Sequence, residues 1–163
     1  MWKILKIRIV KYRIMNVKIK KLRDNVILPK KAHDTDACFD IYYTCDKDNI
    51  YNGIYIYAGQ TAIIDTGFAT EIPHGYYAAV YGRSGLGIKQ GLRPSNCVGI
   101  IDADYRNEWK VALYNDSDED QFIENGDRIA QFMICPVLDT TLEEVDEVNE
   151  TDRGLGGLGS TGK

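Results

Sequence analysis

Glycine spacing is what most constrains this chain. Gly53, Gly59, Gly67, Gly75, Gly99 and Gly126 punctuate the middle of the sequence at intervals that suit hairpins. Among them lie "NVKIKKL", "IYIYAGQTAIIDTGFATEIP", "GYYAAVYG", "EWKVALYN" and "DRIAQFMICPV", rich in Ile, Val, Tyr and Phe, and several alternate in polarity. Such residues fit a pleated, half-buried surface, so each run predicts strands. Only "SGLGIKQ" reads as a short helix, with Ser84 as its N-cap. Short strands and frequent turns predict an all-β, antiparallel sandwich or barrel rather than βαβ units. No repeat or linker divides the 163 residues, which fit one domain.

Charge narrows the function classes. Residues 1–23 carry nine Lys or Arg and no acid, leaving 11 basic against 24 acidic residues, a net of −13, in the remainder. An acidic body argues against duplex nucleic acid as a partner, which asks for a basic face. The basic leader reads as a solvated extension or an over-long start, since the strand pattern begins at Met15; a nucleic-acid arm is the other reading. Polar residues interrupt every apolar run well short of the ~18 residues of a membrane span, and the N-terminus lacks the apolar stretch of a secretory signal. Cys38, Cys45, Cys97 and Cys135 show no C-x-x-C spacing and no nearby histidine set. Zinc is therefore not expected, and the thiols are expected to stay reduced in a cytoplasm, a host's if the chain is virus-encoded.

Several short segments carry chemistry. The C-terminal "GLGSTGK" matches the start of a P-loop, but an acidic stretch precedes it where a P-loop needs a buried strand, and the sequence stops at Lys163 where a P-loop continues into a helix, so the readings left are a floppy tail or a different phosphate-binding arm. In "GRSGLG", Arg83 can pair with phosphate, Ser84 can donate a hydroxyl and Gly85 lets the main chain come close; a plain capped turn has the same letters. In "NCVGIIDADYRNEWKVALYN", two apolar arms flank "DADYRN", which predicts a hairpin with Asp102, Asp104 and Tyr105 close together. A carboxylate at a strand end can act as general base toward water, and a ring beside it can stack on a base or sugar. A solvated turn explains the acids and Asn107, and the tyrosine less well. Asp127 and Arg128 in "NGDRIAQF" read as a turn with a salt bridge, with Gln131 beyond. Asp40 lies inside the apolar "DACFDIYY", where an unpaired charge is costly, so it requires a buried arginine or a hydrated metal ion.

In order, "DACFDIY", "GRSGLG", "GIIDADYRNE", "GDRIAQ" and "RGLGGLGSTG" closely resemble the five motifs of the homotrimeric dUTPases, the deoxyuridine triphosphate nucleotidohydrolases, over residues 16–162. The resemblance implies an antiparallel, distorted, jelly-roll-like β-barrel with one short helix, assembling as a homotrimer with sites shared between subunits. Residues 1–15 would be a basic extension, 16–152 the β-domain, and 153–163 a mobile glycine-rich arm supplied to a neighbour. The implied reaction is hydrolysis of dUTP to dUMP and pyrophosphate with Mg²⁺, which limits uracil in DNA and supplies dUMP for thymidylate. Asp102 would activate the attacking water, and Tyr105 would lie against the deoxyribose and exclude a 2′-OH. Asn96 and the main chain of Gly99, Ile100 and Ile101 would read the uracil edge. Arg83, Ser84, Gly85 and Gln131 would hold phosphate oxygens, with Lys110 in the same substrate-binding set. From the arm, Arg153, Leu158, Gly159, Ser160 and Thr161 would close on the nucleotide, and Asp40 would stand in the outer shell of Mg²⁺ through water. Gly82, Cys38 and Asn107 replace the family's frequent Pro, Gly and Gly, and Leu158 replaces the phenylalanine that stacks on uracil.

Other readings share some of these letters. A dCTP deaminase has the same fold, but "DADY" after "VGII" and the full glycine arm favour hydrolysis. Only the basic leader points to a dUTP-sensing regulatory protein, and a purely structural β module leaves the five motifs unexplained.

Overall fold

A computed structural model describes residues 15–157. The short apolar runs become strands β1 (Lys18–Lys21), β2 (Phe39–Tyr42), β3 (Gly53–Ile56), β4 (Thr61–Asp65), β5 (Phe68–Glu71) and β6 (Tyr76–Tyr81). After helix α1 (Ser84–Gln90) come β7 (Leu92–Pro94), β8 (Gly99–Ile101), β9 (Lys110–Asn115), β10 (Gln121–Glu124) and β11 (Arg128–Pro136). All pairing is antiparallel, in four sheets ordered β1-β5, β10-β3, β2-β11-β6-β8 and β4-β9-β7. The fold is therefore all-β with one short helix, as the turn spacing predicts, and no closed barrel forms among the described residues. No helix of the described residues is long and apolar enough to cross a membrane.

One apolar core joins the sheets. Trp109, Phe68, Ile41, Leu113, Ile123 and Ile129 are fully buried. The Trp109 ring sits 5.2 Å from Phe68 and 4.9 Å from Phe132, the latter edge-on. Aromatic pairs at such offsets stabilise by about 0.5–1.5 kcal/mol beyond the area they bury. Gly67, between β4 and β5, has φ +77°, and a Cβ there would come within 2.2 Å of Val26. A tight turn and a close approach both demand glycine at that point. Gly53 and Gly99, by contrast, open strands rather than turns.

Two local expectations are corrected. Ser84 is not the N-cap: it is the first helical residue, and Arg83 occupies the cap position with extended backbone (φ −99°, ψ 134°) and no side-chain cap bond. Arg83 keeps the extended backbone that follows β6, and its side chain is committed elsewhere. Nor is "DADYRN" a hairpin. β8 pairs with β6, whereas β9 pairs with β4 and β7, so the segment passes from one sheet to another. Trp109 explains the departure: its ring enters the core, its N–H donates to Phe68 C=O (3.0 Å), and its C=O accepts from the Thr66 N–H (3.1 Å) and hydroxyl (2.9 Å). The second arm is thereby captured by β4 and β5 instead of folding back on the first.

Candidate active site

Asp40, buried on β2, answers its desolvation with two guanidiniums. Arg83 Nε donates to Oδ1 at 2.8 Å and Arg128 Nη1 to Oδ2 at 3.2 Å. Arginine, doubled, is thus the partner that a charge inside an apolar strand requires. Arg128 reaches Asp40 because β11 is irregular: Arg128 pairs with Tyr42, Ala130 with Ile41 and Gln131 with Asp40, so two residues of β11 oppose Ile41. That β-bulge turns Arg128 and Gln131, three residues apart, to the same face, a re-aiming typical of bulges beside active sites. Gln131 Nε2 donates to Gly82 C=O at 2.8 Å and ties the end of β6 to β11. Gly82 stands close to the Pro94 ring, which a Cβ would meet at 2.9 Å.

Asp36, Cys38, Asp40, Arg83, Arg128 and Gln131 line a cavity of about 320 Å³. Ser84 and Gly85 are exposed at the start of α1, next in sequence to Arg83. Burial, and then the Asp40 charge, push the Cys38 thiol above its ordinary range. The cavity suits an anion with several oxygens, because two arginines face it and one carboxylate orients them. Among the described residues no three His, Cys, Asp or Glu side chains gather as a metal cage. Both Asp40 oxygens already accept from guanidiniums, so a Mg²⁺ ion here would draw its direct ligands from phosphate oxygens and water.

The second group lies along β8, the outer strand of its sheet. An antiparallel edge leaves alternate N–H and C=O groups unpaired, and these can read the rim of a planar base. Asn96 is exposed just before this edge, with its carboxamide against Gly99, where a Cβ would come within 3.3 Å of Asn96 Nδ2. Asp102 follows the edge and is exposed, and its C=O accepts the Tyr105 N–H at 3.2 Å. Tyr105 is half-buried against the core and donates its hydroxyl to Glu108 C=O at 3.1 Å, which fixes the ring. Lys110 bonds to Asp65 across β4 and β9; that hydrogen bond raises its pKa. Glu108 and Tyr105 of the second group add to that shift.

One chain does not bring the two groups together. β2 and β8 are three strand spacings apart, and Asp40 shares a row with Tyr81 whereas Ile101 pairs with Ala78. At about 4.8 Å between strands and about 3.4 Å per residue, Asp102 stands roughly 20 Å from Asp40. On the arm, Arg153 turns onto its own loop, Nε to Gly156 C=O at 3.1 Å. Leu158, Gly159, Ser160 and Thr161, like the basic leader 1–14, lie outside the described residues. Arg128 is the site residue that sequence reasoning missed, because regular alternation sets it on the face opposite Gln131.

Residues 24–162 match the dUTPase family. The deoxyuridine 5'-triphosphate nucleotidohydrolase of Clostridium acetobutylicum is 43% identical over 149 residues, covering 91% of this chain and 98% of its own length. That of Nautilia profundicola is 42% identical over 149 residues, covering 91% of this chain and all of its own. Among solved structures, the dUTPase of Staphylococcus bacteriophage 80alpha with dUpNHpp superposes with a TM-score of 0.79 at 28% identity, covering 91% of this chain and 99% of its own; phage dUTPases are described there as controlling transfer of virulence genes by a G protein-like mechanism.

Proposed function

The chain belongs to the dUTPase family, and from that premise we propose that it hydrolyses dUTP to dUMP and pyrophosphate by in-line attack of water on the α-phosphorus. One observation carries the assignment of roles: a preformed two-arginine cavity at one end of a sheet, and an exposed edge leading to Asp102 at the other. Arg83 and Gln131 hold the phosphate chain, joined by Arg128 from the bulge. Asp102 accepts a proton from the attacking water, and pyrophosphate leaves with the P–O electron pair. The exposed edge at Gly99–Ile101, with Asn96, meets the acceptor–donor–acceptor rim of uracil; cytosine presents a donor where uracil has its last acceptor, so fixed partners reject it. Tyr105 packs against the deoxyribose. Mg²⁺ would offset charge on the phosphates when bound, and Asp40 would help to hold it through water. dUTP is a soluble nucleotide, which favours a cytoplasmic site of action.

The separation of roughly 20 Å between the two groups supports a site completed by a second copy, within a homotrimer of distorted, jelly-roll-like barrels. Arg153 and the glycine arm would then come from a neighbour. Pyrophosphate release across the four canonical dNTPs and dUTP tests the substrate, and only dUTP is expected to turn over efficiently. Asp102→Asn should bind dUTP but turn over at least ~10²-fold more slowly; near wild-type release by a folded mutant rules the base assignment out. Sharing is tested by refolding Asp102→Asn with Arg83→Ala in equal amounts. In a ring of head-to-tail contacts, about one site in four joins two intact halves and regains activity; no recovery means each chain completes its own site.

A regulatory role besides hydrolysis has the likeness to the phage enzyme in its favour. Retention of a protein partner by Asp102→Asn, and its loss on deleting residues 1–14, would support it.

A further inference from the structure

Between β7 and β8 the chain reverses within Pro94–Val98. Cys97 N–H donates to Pro94 C=O at 3.2 Å, and Val98 N–H donates to Asn96 C=O at 2.7 Å. The second bond spans two residues and closes a γ-turn centred on Cys97, whose φ is +60°. That hand of γ-turn is the rare, strained one. Cysteine is neither glycine nor one of the short polar residues that tolerate positive φ. Its side chain is exposed, so the thiol does not anchor the conformation through packing. Strain of this kind persists where the surrounding structure over-determines it, and it concentrates at functional sites.

What the reversal accomplishes is visible three residues from Asn96. A Cβ on Gly99 would lie 3.3 Å from Asn96 Nδ2 and 3.3 Å from Val80 Cβ. The turn therefore folds the Asn96 carboxamide back over the first residue of β8, while Gly99 pairs with Val80 of β6. With an ordinary negative φ at position 97 the chain would leave Asn96 heading away from β6, and carboxamide and strand edge would separate. We propose that Cys97 is a positioning residue for base selection: its backbone conformation, not its thiol, holds Asn96 and the β8 main chain in the register that reads a uracil rim. The inference rests on the base-reading assignment above and adds to it the element that sets the geometry.

The test compares Cys97→Gly, Cys97→Asn, Cys97→Val and Asn96→Ala in the full chain with Mg²⁺. KM and kcat for dUTP and dCTP are measured for each, with Tm as the control for folding. Glycine and asparagine adopt positive φ readily, so both should keep KM and the dUTP:dCTP preference within about twofold. Valine resists it; Cys97→Val should raise KM for dUTP about tenfold, the equivalent of one hydrogen bond, with a smaller change in kcat and a narrowed preference. A lowered Tm with KM and preference intact would make Cys97 merely structural and overturn the proposal. Equal losses in Cys97→Gly and Cys97→Val would assign the effect to the thiol, which also overturns it. If Asn96→Ala leaves the preference unchanged, the base-reading assignment itself fails; if it narrows the preference while Cys97→Val does not, only the role of Cys97 fails.

Discussion

Asp40→Asn removes one charge and almost no volume, so its effect isolates the arginine pairs. The Asp40 and Arg83 side chains retain 11% and 22% of their exposure and approach to 2.8 Å. A charge-assisted bond of that kind contributes about 1.5–3 kcal/mol. Arg128 is 44% exposed and 3.2 Å away, so solvent screening holds its share below about 1 kcal/mol. Losing the carboxylate charge also leaves two guanidiniums facing one cavity, which brings the expected destabilisation to about 2–4 kcal/mol. For a chain of this length that corresponds to a fall in Tm of about 5–15 °C. Urea unfolding at one fixed protein concentration measures it. Double-mutant cycles with Arg83→Met and Arg128→Met should give a coupling of at least about 1 kcal/mol for the first pair and less for the second. A loss smaller than about 0.5 kcal/mol, within the scatter of ordinary surface changes, or a larger coupling to Arg128, refutes this account. Pyrophosphate binding measured in chelator should move the other way and tighten, because the mutant cavity keeps two cations and loses the anion that occupied them.

Three further outcomes are expected. Tyr105→Ala should lower kcat/KM for dUTP and narrow its advantage over UTP; an unchanged ratio of the two specificity constants would remove the steric role. Truncation after Asp152 should leave a folded protein with little activity, because among the described residues the strands end at Pro136 and residues 137–157 are exposed; full activity would make the arm dispensable. Burial, with the hydroxyl donating to Cys45 Sγ at 3.6 Å, pushes the Tyr43 pKa up from 10.0 to about 12. The folded state thus keeps its phenol proton where the unfolded state loses it, and stability should hold below pH 10 and fall as pH rises from about 10 to 12. Urea midpoints across that window should decline less steeply for Tyr43→Phe, and parallel slopes would dissociate the phenol from the alkaline loss.

Strand positions are legible in this sequence because alternation and β-branched runs report half-buried surfaces, and "GYYAAVYG" and "DRIAQFMICPV" become β6 and β11. Partner choice is less legible. The arms around "DADYRN" look like one hairpin, yet the Trp109 ring and backbone commit the second arm to another sheet. Asp40 illustrates a demand that sequence can state and not fill: burial requires a counter-charge, but only the fold selects Arg83 and Arg128. The Cys97 turn leaves no trace in composition, since nothing in "SNCVG" marks the cysteine as the residue with positive φ. Ser84 shows the same limit at single-residue scale: a good capping residue becomes the first helical one because Arg83 remains extended.

The extra residue in β11 makes length, and not identity alone, part of how this strand bends and fills the core. An exchange at Ile129 or Ala130 changes what fills the core. Loss of either residue instead restores regular pairing: Arg128 still opposes Tyr42 and shares a face with Gln131, while one buried side chain and the local bend of the strand are gone. The lesion would be felt in the core and in the twist of the strand, with the cation still on its face. Substitution and deletion at this point therefore both alter the same core, and deletion alone also straightens the strand.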